Sequence, residues 1–306
     1  MNKLPFVSIC LLTYKRAHNL GRSLDSLLAQ THSDFELIIN DDCSPDDTEA
    51  VARSYEKRDP RVRYCRNEHN LRYAGNQNTA LDRARSDYVA IVHDGDVYRE
   101  DLIEKWVNAL VKYPTAALVF NARGRINDAG EKLVGIEDPQ FHAPLVPGRL
   151  LFDEMICSIS SPIYGIVMVR KSCVKSVGQF DSGFPIQADV DMWFRLLLKY
   201  DAAYIGEVLF HVLHNEKNHI NADVNWSIVE ENERIHRINA KRRYPEDRFA
   251  YEQRSKQLDK LFFGHRLKIL CHCVKPKRWN KIPGGIRAIL SNRHGTFEDR
   301  LADTSH

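Results

Sequence analysis

Asp94-Gly95-Asp96 is the segment with the most chemistry in it. Two carboxylates flanking a glycine can share a hard divalent cation such as Mn²⁺ or Mg²⁺, which takes oxygen ligands and bridges to phosphates. The glycine permits a sharp turn and close approach of a ligand. An ordinary acidic turn has the same composition, but this one follows an apolar run, Tyr88 to His93. Asp42 stands in a second acidic segment, Ile39 to Thr48, where a strand-end carboxylate can accept a hydrogen bond from a nucleobase imide. Ser44, Asp46 and Asp47 read as caps of the following helix. Tyr14 offers a ring for a base, and Arg16 a partner for phosphate. Asp189 precedes an apolar helical face of Met192, Trp193, Leu196, Leu197 and Tyr200. It is either a helix cap favoured by the macrodipole or a general base aimed into a pocket. His211, His214 and His219 follow a strand-like stretch. His214 either completes a metal site with Asp94 and Asp96 or is a solvated loop histidine.

Elements that could position these groups are legible in the apolar pattern. Phe6 to Thr13 is a nearly continuous apolar run, as in a strand buried on both faces. Leu20, Leu24, Leu27 and Leu28 recur at helical spacing. Strands are expected at Phe35 to Asn40, Val62 to Cys65, Tyr88 to His93 and Ala117 to Asn121. Helices are expected at Thr48 to Tyr55, Asn76 to Ala84 and Leu102 to Val111. This alternation predicts an α/β fold with a mostly parallel sheet flanked by helices, and ligands beyond the carboxyl ends of its strands. Thr13 to Arg16, Asp41-Asp42 and Asp94 to Asp96 would then reach one edge from separate strands. From about Ala122 to Pro162 the alternation breaks down. Gly165 to Val169 reads as a strand and Asp189 to Tyr200 as an amphipathic helix. From Asn221 onward the chain is helical, charged and basic.

Composition narrows the class. A net charge of +3 over 306 residues gives no reason to expect nucleic acid. Seven cysteines cannot all pair internally, and no signal-like leader is read at the start, so reduced thiols in the cytoplasm are expected. Cys271 and Cys273 lack a second pair at zinc spacing. No apolar stretch reaches the roughly 18 residues that span a bilayer. Phe262 to Arg293 mixes Leu267, Ile269, Trp279 and Ile282 with many Lys and Arg, so it reads as either a solvated extension or a segment lying on an anionic membrane face.

The ordered set Val7 to Arg16, Ser26 to Thr31, Phe35 to Thr48, Asn70 to Asn78, Asp94 to Asp96 and Gly178 to Trp193 resembles the family 2 inverting glycosyltransferases of GT-A fold. The resemblance runs from Val7 to about His214. It implies a GT-A domain over residues 1–220, with a nucleotide-binding half at 1–121 and an acceptor half at 122–220. A helical basic extension follows at 221–306. It further implies a nucleotide-sugar donor, UDP-type, and a saccharide or lipid-linked acceptor in polysaccharide or glycolipid assembly. Tyr14 and Asp42 match positions that hold the base, with Leu12, Thr13, Arg16, Asn78 and Gly95 among the donor-binding set. Asp94 matches a carboxylate near ribose and metal, Asp96 the metal ligand, and Asp189 the catalytic base. The sequence departs from the family habit at Leu12, often proline, at Lys15, often asparagine, at Gln77, usually arginine, and at Ala188, commonly acidic. A sugar-phosphate nucleotidyltransferase would carry a glycine-rich basic loop after the first strand, but no glycine occurs there before Gly21. A degenerate domain acting as a binding module would keep the fold without the chemistry.

Overall fold

The computed structural model describes residues 3–214 and 226–273. The chain divides into two compact units: Met1–Asp153 with Ser161–Asn215, and Glu154–Ser160 with Glu216–His306. His219 and the basic residues beyond Cys273 lie outside the described residues.

The first unit begins with strand–helix alternation: β1 (Val7–Thr13), α1 (Ala17–Leu28), β2 (Phe35–Asp41), α2 (Thr48–Arg58), β3 (Val62–Arg66), α3 (Arg72–Arg83) and β4 (Tyr88–His93). A short β5 (Val97–Tyr98), α4 (Leu102–Lys112) and a long β6 (Ala116–Ile126) follow. Then come β7 (Lys132–Glu137), β8 (Leu145–Val146), α5 (Gly148–Ile156), β9 (Val167–Arg170), α6 (Lys171–Val177), α7 (Ala188–Leu197) and β10 (Asp201–Leu213). The strands join one sheet in the order β3-β2-β1-β4-β9-β6-β10-β5, with β7 on β6 and β8 on β10. The long ladders β3–β2–β1–β4 and β6–β10 are parallel, and β9 runs antiparallel between β4 and β6.

Every residue of β1 and β2 is buried, which is why both read as apolar runs rather than alternating patterns. Val7, Ile9, Leu11, Leu37 and Ile39 pack with Leu20, Leu24, Leu27 and Trp106 in one core. Trp106 donates to Asn121 Oδ1 at 2.8 Å, so its polar atom is satisfied within that core. The opposite face is not purely apolar. Glu36, 2% exposed, accepts from Ser8 Oγ at 2.7 Å and from the Arg85 amide and Nε, both at 2.9 Å. Burial alone would raise this carboxyl, but those donors outweigh it and hold Glu36 below its ordinary value.

Three expectations need correction. Helix α3 begins at Arg72, not Asn76. Gly75 lies inside the helix, where a Cβ would come within 2.6 Å of Leu71 Cβ. The glycine serves close packing and does not break the helix. Strand β6 continues past Asn121 to Ile126. Its continuation carries Arg123 and Arg125, both paired with Glu137 on β7, and these charges hide a strand from an apolar pattern. The stretch beyond it holds the short β7, β8 and α5.

The second unit contains α8 (Trp226–Arg243) and α9 (Arg248–Cys273). Glu233 is nearly buried and receives Arg237 at 2.5 Å and Arg266. Among the described residues, no helix is long and apolar enough to cross a membrane.

Candidate active site

Strand register brings the acidic segments together. Leu12 on β1 sits opposite Asn40 on β2 and His93 on β4, and Thr13 opposite Asp41. The residues that follow each strand therefore leave the sheet along one edge. The chain ends are stitched there: the Asp42 amide donates to the Thr13 carbonyl at 3.0 Å and the Asp94 amide to the Leu12 carbonyl at 3.3 Å. The Tyr14 amide donates to Asp94 Oδ2 at 3.3 Å.

Two left-handed residues shape the turns, Lys15 (φ 57°) and Cys43 (φ 62°). Neither is glycine, and such backbone is costly unless its surroundings enforce it. Here the enforcement is mutual: the Lys15 amide donates to Ser44 Oγ at 2.9 Å, and the Ser44 amide to Asp41 Oδ1 at 3.0 Å. Ser44 therefore ties two loops together and does not cap α2. Asp46 takes the capping part, accepting from the Thr48 hydroxyl at 2.6 Å and its amide at 3.3 Å, while Asp47 makes no side-chain cap.

The adjacent carboxylates of β2 differ in role. Asp41 is fully buried and gathers Tyr64 Oη at 2.7 Å, Arg66 at 3.3 Å and the Ser44 amide. Asp42 accepts from Asn67 Nδ2 at 2.9 Å and the Leu71 amide at 2.8 Å through Oδ1. Asn67 also donates to Asn76, which is bonded in turn to Asn40. Asn78 lies on a different path. Its side chain accepts the Phe180 amide and donates to the Phe180 carbonyl, both at 2.9 Å, pinning the loop that leads into α7.

Tyr14 is 39% exposed beside this edge, with the Lys15 ammonium 5.0 Å from its ring centroid. Arg16 Nε stands 3.9 Å from Asp94 Oδ1. Asp96 is 4% exposed and accepts the Leu213 amide at 2.8 Å. Gly95 has φ +86°, and a Cβ there would meet Leu213 at 3.1 Å, so glycine alone suits the turn between the two aspartates. Burial pushes Asp94 up to about 6 against the pull of Arg16. Burial also pushes Asp96 up to about 7, opposed by the Leu213 amide and reinforced by the charge of Asp94. Two neighbouring carboxylates both raised by burial, one of them further by the other's charge, are a donor set which a hard divalent cation would relieve. His214 follows β10, its amide donating to the Ile126 carbonyl at 2.7 Å. Among the described residues no three His, Cys, Asp or Glu side chains are grouped to hold a metal ion.

Asp189 lies in the first turn of α7, whose N-cap position is Gln187. Its Oδ1 accepts the Val190 amide at 2.9 Å, and Tyr73 Oη donates to its Oδ2 at 3.5 Å. Asp191 is fully buried and paired with Arg195 at 2.8 Å, a structural bond. Between Asp189 and the Asp94/Asp96 pair stand Tyr73, His93 and Tyr164, none of them singled out by the sequence. His93 lies 3.4 Å from Tyr73 Oη and meets Tyr164 edge-on, with ring centroids 6.2 Å apart. Burial lowers His93 to about 4, so its ring is neutral at pH 7. The Arg123 guanidinium lies 4.2 Å from the Tyr164 ring centroid and opposes the upward shift of Asp96. The charges of both Asp96 and Asp189 raise the Tyr164 phenol, after burial. Asp96 and Asp189 thus both act on Tyr164, and Asp94 directly follows His93 in the chain.

The family profile described as "Glycosyl transferase family 2" matches residues 8–178, more than half of the chain. The chain belongs to glycosyl transferase family 2. This glycosyltransferase is 28% identical over 246 residues to TuaG of Bacillus subtilis (strain 168), a glycosyltransferase named for teichuronic acid biosynthesis. That likeness covers 78% of this chain and 93% of TuaG. It is also 28% identical over 222 residues to the glycosyltransferase EpsE of the same strain, covering 69% of this chain and 74% of EpsE. In fold it is similar to S. aureus TarS 1-349, solved in complex with UDP-GlcNAc, with a TM-score of 0.66 and 15% identity. That match covers 94% of this glycosyltransferase and 81% of the TarS fragment, but the chain spans only 49% of a longer TarS chain. The α/β architecture with helices flanking the sheet is thus that of a GT-A enzyme.

Proposed function

We propose that this glycosyltransferase moves a sugar from a UDP-type donor to a hydroxyl acceptor with inversion at the anomeric carbon, helped by Mn²⁺ or Mg²⁺. The observation that supports the reading most is the neighbourhood of Tyr164: it meets His93 edge-on and feels the charges of both Asp96 and Asp189, while Tyr73 bridges His93 and Asp189, and Asp94 follows His93 in the chain. A single displacement needs a base on the acceptor side and charge neutralisation on the leaving-group side, and these carboxylates come from different elements, as such a division of labour requires. Asp189 takes the proton of the acceptor hydroxyl as that oxygen bonds to the anomeric carbon. The bond from that carbon to the diphosphate breaks, and its electron pair leaves with the diphosphate. Asp94 and Asp96 would hold the cation, which supplies charge neutralisation for the departing diphosphate. Arg16 adds a fixed positive charge beside Asp94. Tyr14 and Asp42 receive the base at the end of β1 and β2, with Leu12, Thr13 and Gly95 forming the adjoining backbone wall.

A donor complex in the TarS neighbour, and GDP-Man with Mn²⁺ in the mannosyltransferase PcManGT from Pyrobaculum calidifontis, support this assignment by analogy of fold. The latter has a TM-score of 0.54, 13% identity, and coverage of 97% of this chain and 77% of its own. The kinship with TuaG favours an acceptor in surface-polysaccharide assembly, saccharide or lipid-linked. Such an acceptor favours work at the cytoplasmic face of a membrane. The exposed face of α9 supports this, with Phe249, Phe263 and Leu267 interleaved with Lys256 and Lys260.

The direct test is release of UDP from a panel of UDP-sugars with Mn²⁺ or Mg²⁺. Metal-dependent turnover with one donor is expected. Asp189→Asn should lower it at least ~100-fold, the scale of a lost general base, while UDP binding survives. Normal turnover by Asp189→Asn would remove the base assignment.

A further inference from the structure

We infer that Tyr73 is the positioning residue of this site: its phenol, held between His93 and Asp189, aims the carboxylate that accepts the acceptor's proton. The inference rests on the base role proposed above for Asp189.

Tyr73 sits in the first turn of α3, 116 residues away in sequence from Asp189. Its oxygen is 3.5 Å from Asp189 Oδ2 and 3.4 Å from His93 Nε2. A phenol has one proton to give, and an ionised carboxylate can only accept. The O–H therefore points to Asp189, and His93 supplies the second bond from Nε2–H, which sets its tautomer. Asp189 is then oriented through both oxygens. The Val190 amide holds Oδ1 at 2.9 Å and the phenol faces Oδ2, so rotation of the carboxylate loses a bond. Long catalytic hydrogen bonds of this kind tighten once substrate fills a cleft.

Gly165 gives independent geometric support. A Cβ built there would lie 2.6 Å from Tyr73 Oη, 2.9 Å from His93 Cε1 and 3.1 Å from Asp189 Oδ2. Groups from α3, the end of β4 and α7 therefore meet at one backbone point before β9. Any side chain at this position would push them apart, so glycine preserves the contact between phenol and carboxylate.

Tyr73→Phe keeps the ring and removes only the O–H. The expected result is a kcat about 10-fold lower, the lower end for loss of a supporting hydrogen bond, with the donor KM unchanged. The rising limb of the pH profile should move up by about one unit, because a donor to the charged carboxylate has been lost. Gly165→Ala should reproduce the slow phenotype, and adding Tyr73→Phe to it should cost little more, since both remove one contact. Unchanged UDP affinity and melting temperature verify folding. Wild-type kcat in Tyr73→Phe, or a slower enzyme with an unmoved limb, would overturn the inference. An inactive Asp189→Asn beside a normal Tyr73→Phe removes this inference alone. An active Asp189→Asn removes the base reading itself.

Discussion

Asp41 and Asp42 show how little a residue's type says about its work. Both are buried acids at the end of β2. Asp41 is the hub of a turn, receiving a phenol, a guanidinium and an amide. Asp42 is held through Oδ1 by Asn67 and the Leu71 amide, which orients it at the edge where the donor base is proposed to sit. The two substitutions should therefore separate. Asp41→Ala should cost about 3 kcal/mol of stability, because several buried donors lose their acceptor. Asp42→Asn should cost less stability and weaken UDP binding about 10-fold, with kcat nearly unchanged, as for loss of uniform binding. Urea unfolding and UDP titration read the two effects, and equal stability losses with equal UDP affinities would sink the distinction.

Among the elements, the parallel β1–β2–β4 core depends on one buried acid. Glu36 joins β2 to Ser8 on β1 and to Arg85 in the segment between α3 and β4. Its carboxyl lies below its ordinary value in the folded chain. As pH falls, the unfolded state takes up the proton first, so the contribution is complete above the unfolded value near 4.3 and is lost as pH falls through the lower folded value. Arg85 and Arg63 are substantially exposed, which screens their share. Glu36→Gln should therefore cost about 2 kcal/mol at pH 7, from hydrogen bonds to a charged group. That difference should shrink as pH falls below the unfolded value near 4.3, followed by urea unfolding at pH 7 and at acid pH. A constant difference across this range would show that Glu36 acts through shape, not charge. The loop before α7 is braced in a similar way, Asn78 pinning Phe180 and so setting the approach of the helix that carries Asp189.

For the whole molecule, the second unit adds an exposed apolar surface of its own. Along α9, Phe249, Phe263 and Leu267 are exposed on one helical face with Lys256 and Lys260, while Leu258, Phe262 and Ile269 are buried. The exposed face is the one proposed above to meet a membrane, since lysines among apolar side chains suit an anionic bilayer. The full chain should float with vesicles containing anionic lipid and not with neutral ones. Replacing Phe249, Phe263 and Leu267 by serine should abolish this while UDP release from the donor, with a soluble acceptor present, persists. Flotation unchanged by these replacements would exclude this face as the contact.

The sequence by itself determined the order of strands and helices in the first half, because burial on both faces writes itself as an apolar run and helical burial as a periodic one. It also marked which turns carry acids. It did not show the β6 continuation, where Arg123 and Arg125 look like loop residues until Glu137 faces them. Nor did it mark Tyr73, His93, Tyr164 or Gly165, whose types are unremarkable where they stand. Only the tertiary structure decided that they meet at one point, and that Asn76 joins the Asp42 network while Asn78 serves a loop. The physical reason is range: periodicity is a property of neighbours in the chain. The contact between Tyr73 and Asp189 spans 116 residues and depends on strand register and on the space left by a missing Cβ.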